Sequence, residues 1–381
     1  MTFGKKGIHL GGQLMFNSIY KDKTVLLTGH TGFKGSWLTA WLENLGAKVV
    51  GISKDVPTNP SHFEALDIQS RISHNISDIT DVYNLRNIFN KHKPDFVFHL
   101  AAQAIVSDSH YDPINTVSSN VLGTTILLQV LREQEHEIVA VIITSDKCYE
   151  NNEWIWGYRE NDTMGGKDIY SASKGAAELI FSAFYRSIFS SKPQIKLATA
   201  RAGNVIGGGD WAKDRIVADS FKSWSKGNPV EIRNPSSTRP WQHVLEPLSG
   251  YLQLGSELFQ NNKVNGGSYN FGPDSQQNIT VKQLINDLLS VWDNNSSSLV
   301  SHQKDNNSIL AEAGLLRLNC EKAENDLGWK PTLDYKECVD FVGSWYKQYY
   351  SNPKNSAIFT QKQIKQYTKL AHQRGKIWSG S

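Results

Sequence analysis

Short apolar runs alternate with segments of helical spacing along the first two hundred residues. Lys23–Thr28 is apolar, contains β-branched residues and stops at glycine, the pattern of a buried strand. Trp37–Leu45 carries apolar residues at helical spacing and ends at Gly46. Ala47–Ile52 predicts a second strand, and Asp95–Ala101 and Ile138–Thr144 predict others, with a long helix over Thr116–Arg132 between them. Ile169–Ile188 has one apolar face and predicts a helix, and Ile195–Ala200 predicts the strand that closes the run. Such alternation predicts an α/β fold with a doubly wound parallel sheet.

Beyond about residue 204 the pattern loosens, and Gly, Pro and Trp become frequent. Helices are expected over Ile216–Lys226, Pro247–Gln260 and Tyr335–Tyr350, an exposed loop over Asn294–Asn307, and a turn over Gly328–Leu333. The chain is expected to divide into an N-terminal extension (1–22), a nucleotide-binding domain (23–203) and a smaller, mainly substrate-binding domain (204–352) whose strands can return to the first sheet. A polar, partly helical tail (353–381) follows. Residues before Met15 are Gly-rich and polar and read as a disordered extension or a start-site artefact.

Composition narrows the function. The net charge of +3 is too small to argue for nucleic acid or an acidic membrane surface. Cys148, Cys320 and Cys338 are odd in number and form no CxxC, so neither a disulfide framework nor a zinc site follows, and a reducing, cytoplasmic compartment is expected. No leader and no run of the ~20 apolar residues needed for a membrane span is expected. Trp211 and Trp241 sit in loop-like stretches, where aromatic rings serve either as sugar or base platforms or as packing between domains.

Two motifs carry chemistry. After the first strand comes Gly29-His30-Thr31-Gly32-Phe33-Lys34-Gly35, a GxxGxxG turn leading into a helix. Such a turn lets the backbone approach a pyrophosphate, and the helix N-terminus offers free N–H groups; a purely structural turn is the alternative. At the end of the second strand, Asp55 suits an adenosine ribose and Lys54 equally a 2′-phosphate, and Asp78-Ile79 could read an adenine edge or be ordinary surface residues. The second motif is Tyr170-Ser171-Ala172-Ser173-Lys174, which places phenol and ammonium on one helix face. A cation there lowers a phenol from about 10 toward neutrality, so that it can take a proton from a hydroxyl as hydride leaves the same carbon. A second YxxxK, Tyr350–Lys354, contains Pro353 and cannot be regular helix. Upstream, Thr144-Ser145-Asp146-Lys147 follows a buried strand: either a helix cap, or a hydroxyl and an acid at the ligand crevice.

The stretches TGHTGFKGSW (28–37), HLAAQ (99–103), NVLGTT (120–125), YSASK (170–174), RAGNVIGGGDW (201–211) and RPWQHV (239–244) together resemble the extended short-chain dehydrogenase/reductase family. LGWKP (327–331) is similar to that family's C-terminal turn. TGHTGFKGSWL (28–38), TSDKCYEN (144–151) and NVIGGGDWAKDR (204–215) resemble its 4,6-dehydratase branch for CDP-sugars; dTDP-sugar branches carry Asp-Glu where this chain has Asp146-Lys147. The resemblance implies a Rossmann-type sheet and an NAD cofactor. Its contacts would be the first turn (Gly29, Thr31, Gly32, Phe33, Gly35), Ser53 and Lys54, Asp78 and Ile79, the stretch Leu100, Ala101, Ala102 and Gln103, and Asn120, Thr144, Tyr170 and Lys174.

It also implies a hydro-lyase acting on CDP-glucose through a closed redox loop. Tyr170 would deprotonate the 4-hydroxyl beside Ser145, Lys147 would take the C5 proton, Asp146 would release water from C6, and Lys174 would hold the nicotinamide ribose. Ser145, Asn204, Arg215 and Arg239 would contact the sugar nucleotide, although each arginine could instead form a structural ion pair. Ala104–Asp108 lacks an arginine expected in the CDP branch. The family forms a homodimer or a dimer of dimers through helices at 116–132 and 169–188; Ile126, Leu127, Leu128, Ile180, Phe181 and Phe184 permit this, and core packing explains much of them. The family association points to deoxysugars of bacterial surface polysaccharide. A nucleotide-sugar 4-epimerase would share the turn and Tyr170/Lys174 without needing Asp146. Another NDP-sugar 4,6-dehydratase, or a non-catalytic NAD-binding scaffold with a broken Tyr–Lys or Ser position, are the other readings.

Overall fold

The computed structural model describes residues 15–232, 234–274, 277–293, 300–302 and 315–380. Its central sheet has seven strands: β1 (Thr24–Thr28), β2 (Lys48–Ser53), β3 (Ser73–Ile76), β4 (Phe96–His99), β5 (Ile138–Ile143), β6 (Ile195–Ala202) and β7 (Ser268–Phe271). They lie in the order β7-β6-β5-β4-β1-β2-β3, and every pairing is parallel. Both faces are covered, which is why the strands read as continuous apolar runs. Along β1, Val25 and Leu27 enter one core cluster and Leu26 enters the cluster on the opposite face.

The strand at Ile195 does not close the sheet: β7 returns from the C-terminal half to pair with β6, as the expected division of the chain allowed. Two features depart from the sequence pattern. β3, a Ser-His-Asn-Ile edge strand with no fully buried residue, shows no apolar run and was not foreseen. The helix over Thr116–Arg132 is broken into a short helix Pro113–Val117, a π-helical turn Ser118–Leu122 and a regular helix Gly123–Arg132. π-turns interrupt helices frequently at functional sites, and this one carries Asn120.

The longer helices are α1 (Phe33–Asn44), α2 (Val82–His92), α3 (Gly123–Arg132), α4 (Ile169–Ser187), α5 (Ile216–Trp224), α6 (Leu245–Gln260), α7 (Val281–Trp292), α8 (Tyr335–Ser351) and α9 (Ser356–Gln373). α8 stops at Ser351, and the Pro353 copy of YxxxK enters a separate 3-10 turn. α9 lies after Pro353: Tyr367 is buried, its hydroxyl donating to Glu246 Oε2 at 2.8 Å. Phe16 stacks on Trp378 at 5.2 Å, so both ends of the described chain cover α1. Residues before Met15 and most of the loop expected over Asn294–Asn307 lie outside the described residues; Val300–His302 pairs in parallel with Val230–Ile232.

Trp211 and Trp241 are buried in the larger core cluster, which decides for packing over an exposed ring platform. Leu127, Leu128 and Phe181 likewise belong to the core, and Ile126, Ile180 and Phe184 pack against it. The run Pro113–Arg132 is, against expectation, long and apolar enough to cross a membrane by length and composition, and half of its apolar window is buried within the fold.

Candidate active site

The crevice opens at the carboxyl ends of β1, β4 and β5, where α/β sheets bind their ligands. Gly29 adopts φ 76°, and a Cβ added there would lie 2.7 Å from the amide nitrogen of Ala101. A Cβ on Gly35 would overlap the carbonyl oxygen of Gly29. Gly32 caps α1 with no side-chain hydrogen bond, which leaves the first-turn N–H groups available. Thr31 is fixed by its hydroxyl donating to the Asp55 carbonyl (2.7 Å) and its amide donating to Ser53 Oγ (3.3 Å). These tight glycine contacts and the uncapped helix end fit a dinucleotide pyrophosphate. Phe33 lies beside Gly207 and Val244. Leu100 donates its amide to the Thr28 carbonyl, and Ala101 donates to Thr28 Oγ1 at 3.1 Å.

The end of β2 is less acidic than a ribose-binding strand end usually is. Ser53 is buried and faces His30 Nδ1 at 3.0 Å, while Lys54 and Asp55 are exposed. His30 also meets His74 at 2.6 Å, and burial lowers it to about 4. Ile79 is buried against Gly123. Burial pushes the Asp78 carboxyl up, but hydrogen bonds from Thr80 and the charge of Lys54 outweigh this and hold it below its ordinary value.

The Tyr–Lys pair lies on α4, which Asp168 caps by accepting from the Ser171 amide at 2.9 Å. Tyr170 and Lys174 are both buried. Asn120, on the π-turn, donates to the Gln103 carbonyl (3.0 Å) and to Ser173 Oγ (2.8 Å), tying α4 to the HLAAQ stretch that also holds Ala102. Across the crevice, at the end of β5, Ser145 Oγ donates to Asp146 Oδ1, and Asn204, in the left-handed region at φ 50°, brings its side-chain amide to Asp146 Oδ2. Lys147 is half-buried in the 3-10 turn Asp146–Cys148, its amide donating to Ser145 Oγ at 3.2 Å.

Tyr170, Ser145, Asp146 and Arg215 face one another: burial pushes the phenol up, Ser145 and Arg215 pull it down, and Asp146 and Asp168 push it up again. For the chain's own groups the net direction is upward; the expected lowering draws on Lys174 together with the positive charge of a nicotinamide ring. Lys174 is lowered by burial to about 8, against the opposing charge of Glu178.

Arg215 Nη2 donates to the Ala104 carbonyl at 3.2 Å, which draws the Lys213–Arg215 loop over the stretch that lacks the expected arginine. Asp108 pairs there with Lys213 at 2.5 Å, and Ser107 donates to Asp214 at 2.7 Å. A narrow pocket runs from Asp146 past Gly203, Pro240 and Gln242 to Gln277 and Arg317. Arg239 precedes this lining rather than forming part of it; its Nη1 donates to the Thr238 carbonyl. No group of three or more His, Cys, Asp or Glu able to hold a metal occurs among the described residues.

Sequence reasoning missed Lys34, Arg317 and the pair Glu178–Arg201. Lys34 stands on the first turn of α1, where burial lowers it to about 8; Asp146, Arg215, Lys174 and Asp210 all act on its charge. It lay inside the quoted motif, and a lysine between two required glycines was the available signal.

A seven-stranded parallel sheet with a glycine turn after β1 and a Tyr–Lys pair on α4 defines an extended short-chain dehydrogenase/reductase. The chain belongs to the GDP-mannose 4,6 dehydratase family, whose model matches residues 26–341. It is 43% identical over 354 residues to the CDP-glucose 4,6-dehydratase of Salmonella typhimurium, covering 92% of this chain and 97% of that one. It is 24% identical to the dTDP-glucose 4,6-dehydratase of Haemophilus influenzae, over 84% of this chain and 97% of that one. Its fold is similar to that of an epimerase from Methanothermobacter thermautotrophicus (TM-score 0.74, 22% identity, 89% and 96% of the two chains). It is also similar to the Bacillus anthracis dTDP-glucose 4,6-dehydratase solved in complex with NAD (TM-score 0.70, 16% identity, 86% and 97%).

Proposed function

We propose that this chain converts CDP-glucose to CDP-4-keto-6-deoxyglucose and water. The observation that carries the reading is the placement of Tyr170, Ser145 and Asp146 about one crevice: a base for a sugar hydroxyl faces an acid for a leaving hydroxyl. The 43% identity to the Salmonella enzyme over nearly its whole length supports the CDP-sugar. An epimerase has no leaving group, so it gives no reason for a buried, doubly bonded acid at position 146.

NAD, held by the glycine turn, Ser53 and the Asn120–Gln103 clasp, supplies when bound a hydride acceptor and a ring cation near Tyr170. Tyr170 takes the proton of the 4-hydroxyl while Ser145 bonds the same oxygen. Lys147 takes the C5 proton, made acidic by the neighbouring ketone. Asp146 donates a proton to the departing 6-hydroxyl. Lys34, Arg215 and Arg239 hold the diphosphate, with residues 204–352 supplying most of the substrate side and 23–203 the cofactor side.

Exposed Val117 and Leu122 near the π-turn and Ile169 and Leu179 on α4 support a dimer in which these helices pair across a two-fold axis. The chemistry asks for no membrane, and a cytoplasmic setting is part of the same reading.

Purified protein incubated with CDP-, dTDP-, GDP- and UDP-glucose tests the reading. A product absorbing in strong alkali is expected with CDP-glucose foremost, and a 4-epimer without that absorbance would overturn it.

A further inference from the structure

Glu178 and Arg201 form a buried ion pair that none of the roles above employs. Both side chains are 3% exposed, with Arg201 Nη2 2.8 Å from Glu178 Oε2. Arg201 Nε donates to Oε1 at 2.9 Å. Thr144 Oγ1 donates to Oε1 at 2.5 Å, Thr199 Oγ1 to Oε2 at 2.8 Å and Ser268 Oγ to Oε2 at 3.3 Å. The donors come from β6, from β7 and from the residue directly after β5, while Glu178 itself is on α4. Both carboxylate oxygens are thus engaged, and Glu178 is held in one place.

Fold stability alone is a weak reason for such a pair, since buried ion pairs roughly break even with well-packed apolar residues. Position suggests more. Glu178 lies one helical turn beyond Lys174, on the same side of α4. Thr144, which it grips, immediately precedes Ser145 and Asp146.

We propose that Glu178 is a positioning residue for the reaction: fixed by Arg201 and bonded to Thr144, its carboxylate locks the helix that carries Tyr170 and Lys174 to the strand end that carries Ser145 and Asp146, and its negative charge stands one turn from the Lys174 ammonium. The inference rests on the reading of Tyr170 and Lys174 as the reacting pair. The groups around Lys174 are Tyr170 and Glu178 on α4, Cys148 after β5, His99 on β4 and Lys34 on α1. Burial keeps His99 neutral, at about 3, and raises the Cys148 thiol, so Glu178 is the fixed anion of that set. Burial drives Lys174 down and Glu178 opposes it.

The test measures competitive acetylation of Lys174 with acetic anhydride across pH, read by mass spectrometry, beside the pH profile of kcat on CDP-glucose. In Glu178→Gln the labelling midpoint is expected to fall by about one pH unit, the low end for losing a nearby opposite charge. The alkaline limb of kcat should move with it, and Glu178→Asp, which keeps the charge, should return both toward the wild-type positions. If Glu178→Gln does not fold, Glu178→Gln/Arg201→Met removes the anion with its partner cation and should still lower the midpoint, by less than the single variant because the two charges oppose each other. An unshifted midpoint, with kcat lowered by one factor at every pH, would overturn the proposal. A shifted midpoint in a protein that does not turn over CDP-glucose would support the positioning role and overturn the functional reading instead.

Discussion

The hydroxyl of Ser145 donates to Oδ1 of Asp146 at 3.0 Å, so two adjacent side chains at the end of β5 form one unit. The other carboxylate oxygen meets the Asn204 amide at 3.4 Å, and Gly203 lies so close that any side chain there would overlap the carboxyl. The Asp146 carboxyl is thereby held from two sides, as its proposed role of protonating one particular oxygen requires.

Asp146→Asn keeps the shape of this unit, replaces one of its two acceptor oxygens by a donor and removes the transferable proton. It is expected to lower kcat by about 10²–10⁴-fold, with little change in the KM for CDP-glucose. Steady-state kinetics checks this, and wild-type kcat in the variant would remove Asp146 from the chemistry.

Much of the crevice could be read from the chain alone because its parts are punctuated locally. The turn Gly29–Gly35 lies between a strand and a helix, and Tyr170 and Lys174 lie on one continuous helix. What could not be read depends on partners distant in sequence. β3 is a polar edge strand whose only ladder partner among the described residues is β2, so no apolar run announces it. β7 is four residues long and joins β6 across the intervening residues 203–267. α9 is polar overall, yet Ile364, Tyr367 and Ala371 bury a stripe that only the fold around α1 makes necessary. The upward shift of the Tyr170 phenol was unreadable for the same reason: burial depends on the walls of the crevice, whereas the YxxxK spacing shows only the helix face.

Lys147 has a narrower test. In Lys147→Ala the account expects loss of deuterium incorporation at C5 from heavy water, measured by NMR of the recovered nucleotide sugar. Water elimination at the wild-type rate would assign the base elsewhere.

Lys34 offers a pH signature. A cation at about 8 is charged below that pH and neutral above it, so its contribution to binding a diphosphate is present at pH 6–7 and declines above 8. Lys34→Met should weaken binding by about 10–100-fold, the equivalent of a charged hydrogen bond of roughly 1.5–3 kcal/mol, and should flatten that decline. Calorimetry with CDP and, separately, with NAD shows which diphosphate it holds.

Gly29→Ala adds a methyl group where φ is 76° and the Ala101 amide nitrogen is 2.7 Å away. Strain of the order of 1–2 kcal/mol from the left-handed backbone is joined by a collision with the β4 exit. Differential scanning fluorimetry should show a lower Tm and no further rise on adding NAD.

Glu246, buried beneath Thr332, Leu333 and Tyr367, is raised by burial from its ordinary value to about 7. A folded value above the unfolded one means that its contribution to stability is complete below about 4.5 and lost as pH rises through 7. The Tm contribution of this site should therefore fall between pH 5 and 8. Thermal melts of Glu246→Gln across that range should slope less steeply than those of the wild type.

The closed transfer of one hydride from C4 to C6 is tested most directly with CDP-[4-²H]glucose in ordinary water. The account predicts that the product, examined by NMR and mass spectrometry, carries the deuterium at C6 of the 4-keto-6-deoxy sugar. Deuterium retained at C4 of an unreduced hexose, or released to reduced cofactor free in solution, would contradict it.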